Sequence, residues 1–137
     1  MLAYFPQIYP GELLYSVLAR YHRHMGTPSP IQSMEALFGR RLIVASVDLP
    51  GYLQVLADRL PPNFGWTADR IIDELTLLPY YTAFQPPSVE RLARKAMLRG
   101  QTDGLLMRLG MAAFRVGRVT RLQFCSSCLR QMQERHG

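Results

Sequence analysis

Apolar residues recur every three or four positions along most of this chain, which is the spacing of one face of an α-helix. The clearest case is the stretch 12–25, where Ser16, Arg20 and Arg23 face away from a continuous apolar stripe. That stripe consists of Leu13, Leu14, Val17, Leu18, Tyr21 and Met25. Gly26 follows at the point where a residue able to adopt a positive φ commonly ends a helix. The pattern therefore predicts a first helix that ends at residue 25.

A second helix is predicted immediately afterwards, because Ser29 is a favourable N-cap and Pro30 suits the first helical position. Its predicted buried residues are Ile31, Met34, Leu37 and Phe38. Gly39 is expected to end it, and the pair Arg40-Arg41 comes next. Two short amphipathic helices joined by a few residues form a unit with helix-turn-helix character. Most such units are only structural, so this shape alone does not establish DNA binding.

Four more amphipathic helices are predicted at about 53–60, 67–78, 89–99 and 104–116, while 42–47 fits either a short strand or a connector. The loops between these segments are short and each predicted helix has one apolar face. That combination predicts an all-α multi-helix bundle.

The structural roles of several single residues in these helices can also be predicted. Pro79 is expected to end the helix 67–78, because proline is a common helix breaker. Leu92 is expected to face the core, and Gly110 to allow another helix to approach closely. We place this helical domain at residues 1–120 and the beginning of a further motif at residues 121–137.

The size and composition fit one ordinary domain. The chain has 137 residues, of which 48% are hydrophobic, enough for a substantial core. No apolar run approaches the roughly 20 residues of a membrane span, and the N-terminus shows no secretory signal. We therefore expect a cytoplasmic protein that has no membrane partner.

The charge distribution is more informative than the size. Residues 1–90 carry six arginines against eight acidic residues, whereas 91–137 carry nine arginines and Lys95 against only Asp103 and Glu134. The last third is therefore the electropositive end, to which a polyanion would be attracted. Fifteen arginines to one lysine fits phosphate recognition by planar guanidinium groups, although a codon bias towards arginine explains the ratio equally well.

The sequence C-x2-C at Cys125 and Cys128 is the only group with metal-ligand spacing. A short apolar strand leading into such a pair is typical of one knuckle of a zinc ribbon. A structural zinc site needs four ligands, so the chain is predicted to begin such a site, with the remaining ligands in a longer natural protein; His136 is a candidate third ligand. The alternatives are two reduced thiols without a metal, or a redox pair, which would belong at the start of a helix after a strand in a βαβ setting that this helical sequence lacks.

No pattern in the sequence indicates catalysis. There is no nucleophile-elbow pattern and no phosphate loop of the nucleotide-binding type. His22 and His24 are two apart on a predicted helix, so they point to different sides and are predicted to be structural. Candidate phosphate contacts are Arg20, Arg23, Arg40, Arg41, Arg115, Arg118 and Arg121. A solvated surface is the alternative interpretation of the last three.

Five short segments of the sequence form an ordered series. The opening segment is 5–21, with the sequence FPQIYPGELLYSVLARY. The later ones are ALFG at 36–39, DLP at 48–50, ELTLLPYY at 74–81 and LQFCSSC at 122–128. Each segment is unspecific by itself, but the five together resemble blocks of the TniQ/TnsD family in the same order and cover nearly the whole chain.

This resemblance implies a non-enzymatic adaptor that selects target sites for DNA transposition in bacteria, close to the nucleoid. Family members choose the insertion site by binding double-stranded DNA or by docking on a CRISPR effector, and they recruit the AAA+ ATPase TnsC (TniC). By resemblance, Cys125 and Cys128 match the first zinc pair of the family, and Ser126 stands where the family has proline. We expect the slightly acidic front to contact protein and the basic end to face DNA. A helical protein-interaction module without direct DNA contact is the alternative.

Overall fold

The computed structural model of the protein describes residues 1–43, 46–111 and 124–136. Within these ranges every regular element is a helix. The α-helices are α1 (Leu14–Met25), α2 (Pro30–Phe38), α3 (Leu53–Arg59), α4 (Ala68–Leu75), α5 (Leu78–Thr82), α6 (Pro87–Arg99), α7 (Leu105–Arg108) and α8 (Ser126–His136), and a 3₁₀ turn spans Pro62–Phe64. The all-α prediction is therefore confirmed for the described residues. None of these helices is long and apolar enough to cross a membrane.

Helices α1 and α2 form the predicted hairpin, and its ends follow local sequence rules. Gly26 ends α1 and Gly39 ends α2, each in the left-handed region with φ of 61° and 68°. The Ser29 hydroxyl caps α2 by accepting a hydrogen bond from the backbone N–H of Ile31 at 3.3 Å. Only four residues separate the two helices, which contact each other.

A polar network fixes the turn of this hairpin. The Nδ1 atom of His22 lies 3.0 Å from the Thr27 hydroxyl and 2.8 Å from the Ser33 hydroxyl, and the two hydroxyls are 2.7 Å apart. Ser33 is fully buried, so these bonds satisfy a group that would otherwise destabilise the fold. His24 instead meets the hydroxyl of Tyr4 at 2.7 Å. The two histidines therefore point in different directions, as predicted, and each has a structural role.

The core lies around α3, which packs against α2, α4 and α6. Leu53 and Leu56 of α3 are completely buried, as are Ile72 of α4 and Met97 of α6. The extended N-terminal segment closes one side of this core. Its Phe5 ring makes an edge-on contact with the Phe64 ring at a centroid distance of 5.4 Å.

Pro79 begins a helix rather than ending one, so the predicted helix 67–78 is wrong at its C-terminus. The break occurs at Thr76, whose hydroxyl donates to the Ile72 carbonyl at 2.7 Å and accepts from the Leu78 N–H at 3.3 Å. Proline lacks an N–H and its ring would clash with a helical carbonyl four residues earlier, but it fits the first turn of a helix. The chain therefore starts α5 with Pro79 in its first turn.

Some predicted orientations are also wrong. Leu92 is 67% exposed, because the buried face of α6 is centred on Ala93, Ala96 and Met97. Gly110 has a φ of 71° and its N–H donates to the Met107 carbonyl, so it follows the end of α7 and does not lie inside a longer helix. Met25 and Ile31 of the hairpin are likewise exposed.

Several predictions fall wholly or partly outside the described residues. These are the segment 112–116 of the predicted last helix, the strand-or-connector 42–47 at residues 44 and 45, and the approach to the cysteine pair at 121–123. The described residues 42, 43, 46 and 47 are not in a strand. The described C-terminal residues form the helix α8, and a zinc-ribbon ending is not seen in them.

Candidate nucleic-acid interface

Arg20, the first of the predicted phosphate contacts, is bound within the protein itself. Its Nε and Nη2 atoms donate to the two carboxylate oxygens of Glu12 at 3.0 and 2.6 Å, and Nη2 also donates to the Gln7 carbonyl at 2.6 Å. The guanidinium lies over the Tyr9 ring, 4.6 Å from its centroid. Such a bidentate pair joins α1 to the N-terminal segment, which makes Arg20 a structural residue in this geometry.

The protonation behaviour of Glu12 agrees with this arrangement. Burial raises the pKa of Glu12, but hydrogen bonds from Arg20, the Ser16 hydroxyl and the Tyr9 N–H outweigh it and hold the pKa below its usual value. The hydrogen bond with Glu12 likewise raises the pKa of Arg20. Both groups are therefore held in their charged forms by each other.

The other predicted arginines of the hairpin have different surroundings. Arg41 lies 3.3 Å from the Glu35 carboxylate, but both side chains are largely exposed. Arg40 lies over the Tyr52 ring, 4.9 Å from its centroid. Arg23 is exposed and lies beyond ion-pair distance of any carboxylate. Arg115, Arg118 and Arg121 lie outside the described residues.

Helix α6 has one arginine that is fully engaged with carboxylates. Arg94 donates to Asp69 at 3.1 Å, to Asp73 at 2.6 Å and to Glu90 at 3.0 Å. Burial alone would lower the pKa of Arg94, but the hydrogen bonds to Asp73 and Glu90 raise it above its usual value. This network ties α6 to α4, so the side of α6 that faces α4 is electrically compensated.

The solvent-facing side of the same helix, next to Arg94, is not compensated. Arg91, Lys95 and Arg99 are all exposed, and they are spaced four residues apart so that they form one row along α6. Every aspartate and glutamate of the chain belongs to the described residues, and none of them forms an ion pair with these three cations. These three residues are not among the phosphate contacts predicted from the sequence, although their spacing could have indicated a site.

The row ends at a tightly packed junction between α6 and α3. A Cβ atom at Gly100 would lie only 2.4 Å from the Tyr52 ring, and one at Gly51 only 3.0 Å from the Gly100 Cα. Tyr52 is the only non-glycine residue with a positive φ, 59°, among the described residues. Because Arg40 lies over the same Tyr52 ring, this aromatic side chain connects the end of α2 to the end of α6.

The cysteine pair lies at the start of α8. Cys125 precedes the helix and its carbonyl accepts from the Leu129 N–H at 3.0 Å, while Cys128 is in the first turn. Both thiols are exposed. Hydrogen bonds from the backbone N–H of Cys128, from the Cys128 thiol and from the Ser127 N–H lower the pKa of Cys125.

This geometry fits half of a zinc site. Two thiols on one turn, one of them with a lowered pKa, suit two positions of a tetrahedral ion. Within the described ranges, no group of three or more His, Cys, Asp or Glu side chains could hold a metal. A redox pair would also lie at the start of a helix, but in a βαβ setting, and the described residues contain no strand.

A concave surface lies between the N-terminal segment and α4. This open groove of about 380 Å³ is lined by Tyr9, Pro10, Trp66, Arg70 and Glu74, among others. Arg70 lies over the Trp66 ring at 4.2 Å and pairs with Glu74 at 2.7 Å. The charges of Arg70 and Glu74 therefore compensate each other, which makes the groove a poor site for a polyanion.

Comparison with known proteins gives one family and one curated relative. A family model described as TniQ matches residues 3–137 of this chain. The transposon Tn7 transposition protein TnsD of Escherichia coli is 32% identical over 133 residues, which is 97% of this chain and 26% of that protein. The chain thus spans about a quarter of the length of that relative. These matches confirm the resemblance carried by the five sequence segments.

Proposed function

The chain belongs to the TniQ family, and we propose that it acts in transposition as a target-selection adaptor that binds double-stranded DNA and recruits a AAA+ ATPase of the TnsC type. The proposal has one main support, the family match over nearly the entire chain. The relative TnsD is by name a Tn7 transposition protein. In this role the chain would act by binding and not by catalysis.

The distribution of cations supports the DNA-binding part of this function. Arg23, Arg91, Lys95 and Arg99 are exposed and form no ion pair with any aspartate or glutamate of the chain. Exposed cations that are not neutralised internally can displace counterions from phosphates, and this displacement makes DNA affinity depend steeply on salt.

Duplex binding at two salt concentrations tests this part of the proposal. We expect the fluorescence anisotropy of a labelled duplex to rise on adding the full chain at about 50 mM salt, and the affinity to fall by orders of magnitude at about 200 mM. Binding that is absent at low salt, or insensitive to salt, would contradict direct DNA contact. Co-purification with the cognate ATPase tests recruitment separately.

A protein-interaction module without DNA contact is the second candidate, and one observation favours it. Tyr80, Phe84 and Leu92 on and near α5 and α6 are 67% or more exposed. Exposed apolar side chains are common in protein interfaces. If this candidate is correct, replacing Tyr80 and Phe84 by alanine should abolish capture of the ATPase, or of a CRISPR effector, while the chain shows no affinity for DNA.

We also propose that Cys125 and Cys128 bind zinc together with two further ligands outside this pair. Zinc there would serve as a structural cross-link between this segment and those ligands. Metal analysis of the purified full-length protein is expected to show zinc that is lost in Cys125→Ser and Cys128→Ser. Turnover of a disulfide substrate by the metal-free protein would instead favour the redox alternative.

A further inference from the structure

We propose that the row Arg91, Lys95 and Arg99 on α6, continued by Arg40, is the surface that follows the phosphates of one strand of duplex DNA. This inference rests on the proposed DNA-binding function and assigns it to a particular face. The predicted helix-turn-helix unit α1–α2 would then contribute only its last residues to the interface.

The spacing of the row suits a phosphate backbone. An α-helix rises about 1.5 Å per residue, so the three side chains are attached at intervals of about 6 Å and span about 12 Å. One strand of B-DNA rises about 3.4 Å per nucleotide, so this length corresponds to three or four phosphates. Long side chains on one helix face can therefore each meet a separate phosphate.

The charge of the row is available for a ligand because another residue has taken up the carboxylates. Arg94 binds Asp69, Asp73 and Glu90 at 2.6–3.1 Å on the side of α6 that faces α4. No aspartate or glutamate of the chain lies within ion-pair distance of the three cations of the row. An anion approaching the row therefore meets three positive charges that no internal ion pair neutralises.

The junction at Gly100 connects the row to Arg40. The close packing of Gly100 on the Tyr52 ring fixes the end of α6 against the start of α3. Arg40 lies over the same ring. Tyr52 itself is held at a φ of 59°, a backbone strain that non-glycine residues often show at functional sites. The ring thereby holds a fourth cation close to the end of the row.

The experiment measures how DNA affinity depends on salt in charge-removing variants of the full chain. Each phosphate contact contributes roughly 0.9 to the slope of log K against log salt. The triple variant Arg91→Gln, Lys95→Gln and Arg99→Gln should reduce the slope by about 2.7, and Arg40→Gln by about 0.9. Glutamine preserves helix propensity, and if the triple variant does not fold, Arg91→Gln and Arg99→Gln alone should each reduce the slope by about 0.9.

Matched controls define the result that overturns the proposal. The charge-preserving variant with Arg91→Lys and Arg99→Lys should keep the wild-type slope, and so should Arg70→Gln, which removes an arginine that is already paired with Glu74. An unchanged slope in the triple variant, or an equal loss in Arg70→Gln, overturns the proposal while leaving the proposed DNA binding intact. A wild-type chain that does not bind DNA at all overturns both.

The variant Leu92→Ala separates DNA from an acidic protein as the occupant of this face. Leu92 is exposed next to the row, and a phosphate backbone gains little from it. We expect Leu92→Ala to leave DNA affinity within about twofold of wild type. If this variant and the triple variant both lose binding to the ATPase while DNA binding persists in each, the face is a protein interface and the proposal is wrong.

Discussion

The α1–α2 hairpin and α6 both carry arginines on their outer sides, but the two regions use them differently. In the hairpin, Arg20 was predicted to contact phosphate, but it is bound by Glu12 and by a backbone carbonyl. We call this structural ion pair the Arg20 clamp. In α6, one arginine binds three carboxylates and its neighbours remain available. The comparison shows that the number of arginines in a segment does not locate a phosphate site. The position of the carboxylates relative to them does.

The junction at the end of α6 offers the largest expected effect. Gly100→Ala places a Cβ atom 2.4 Å from the Tyr52 ring at a φ of +79°, so we expect a loss of about 2–4 kcal/mol in the free energy of unfolding, measured by urea denaturation. Gly104 is a matched control, because its φ is +71° but no atom lies within 4 Å of its Cβ. Gly104→Ala should cost only about 1–2 kcal/mol, the backbone part. Equal losses in the two variants would show that the contact with Tyr52 does not constrain α6.

The clamp in the hairpin should give the next largest effect. Glu12→Gln removes the charge that Arg20, Ser16 and the Tyr9 N–H stabilise on a side chain that is only 10% exposed, so we expect a loss of about 2 kcal/mol at pH 7. The same change at the exposed Glu74, which pairs with Arg70, should cost less than about 0.5 kcal/mol.

The pH dependence of this loss has a definite sign. The pKa of Glu12 is lowered in the folded state. The stabilisation that its ionised carboxylate provides is therefore fully present above the usual glutamate pKa, and it disappears as the pH falls through the lowered pKa. The stability difference between wild type and Glu12→Gln should therefore shrink below about pH 4.5. A difference that stays constant down to pH 2 would mean that the pair is not formed in solution.

The two sides of α6 can be compared directly by single substitutions in one helix. Arg94→Gln leaves three carboxylates close together without their cation. We expect a loss of about 1–2 kcal/mol in the free energy of unfolding, which is less than for a fully buried network because the acidic side chains are exposed. Arg91→Gln should change the unfolding free energy by less than about 0.5 kcal/mol. Similar losses in both variants would contradict the division of α6 into a paired and an unpaired side.

The smallest effect is expected at Arg41. Its contact with Glu35 is 3.3 Å long between side chains that are 72% and 49% exposed, so Arg41→Gln should cost less than about 0.5 kcal/mol, and less still at high salt. A loss above 1 kcal/mol in thermal denaturation would show that this pair resembles the Arg20 clamp.

Local sequence rules predicted much of the fold because they depend on neighbouring residues. Gly26 and Gly39 end their helices, and Ser29 and Thr67 cap the helices that follow, as their residue types favour. The same local rules failed at Thr76–Pro79, where a threonine hydroxyl satisfies backbone groups and shifts the helix break by three residues. The spacing of Cys125 and Cys128 predicted a paired-thiol site, and its zinc content stays a prediction.

The sequence alone determined the helical class, most of the helix ends and the family, because periodicity, caps and ordered sequence blocks are all written in residues close together in the chain. Only the tertiary structure decided which cations are available. An ion pair such as Arg94 with Asp69 joins residues 25 positions apart, and periodicity contains no information about such distant neighbours. The same holds for the contact between Tyr52 and Gly100, which exists only because α3 and α6 pack together in the folded chain.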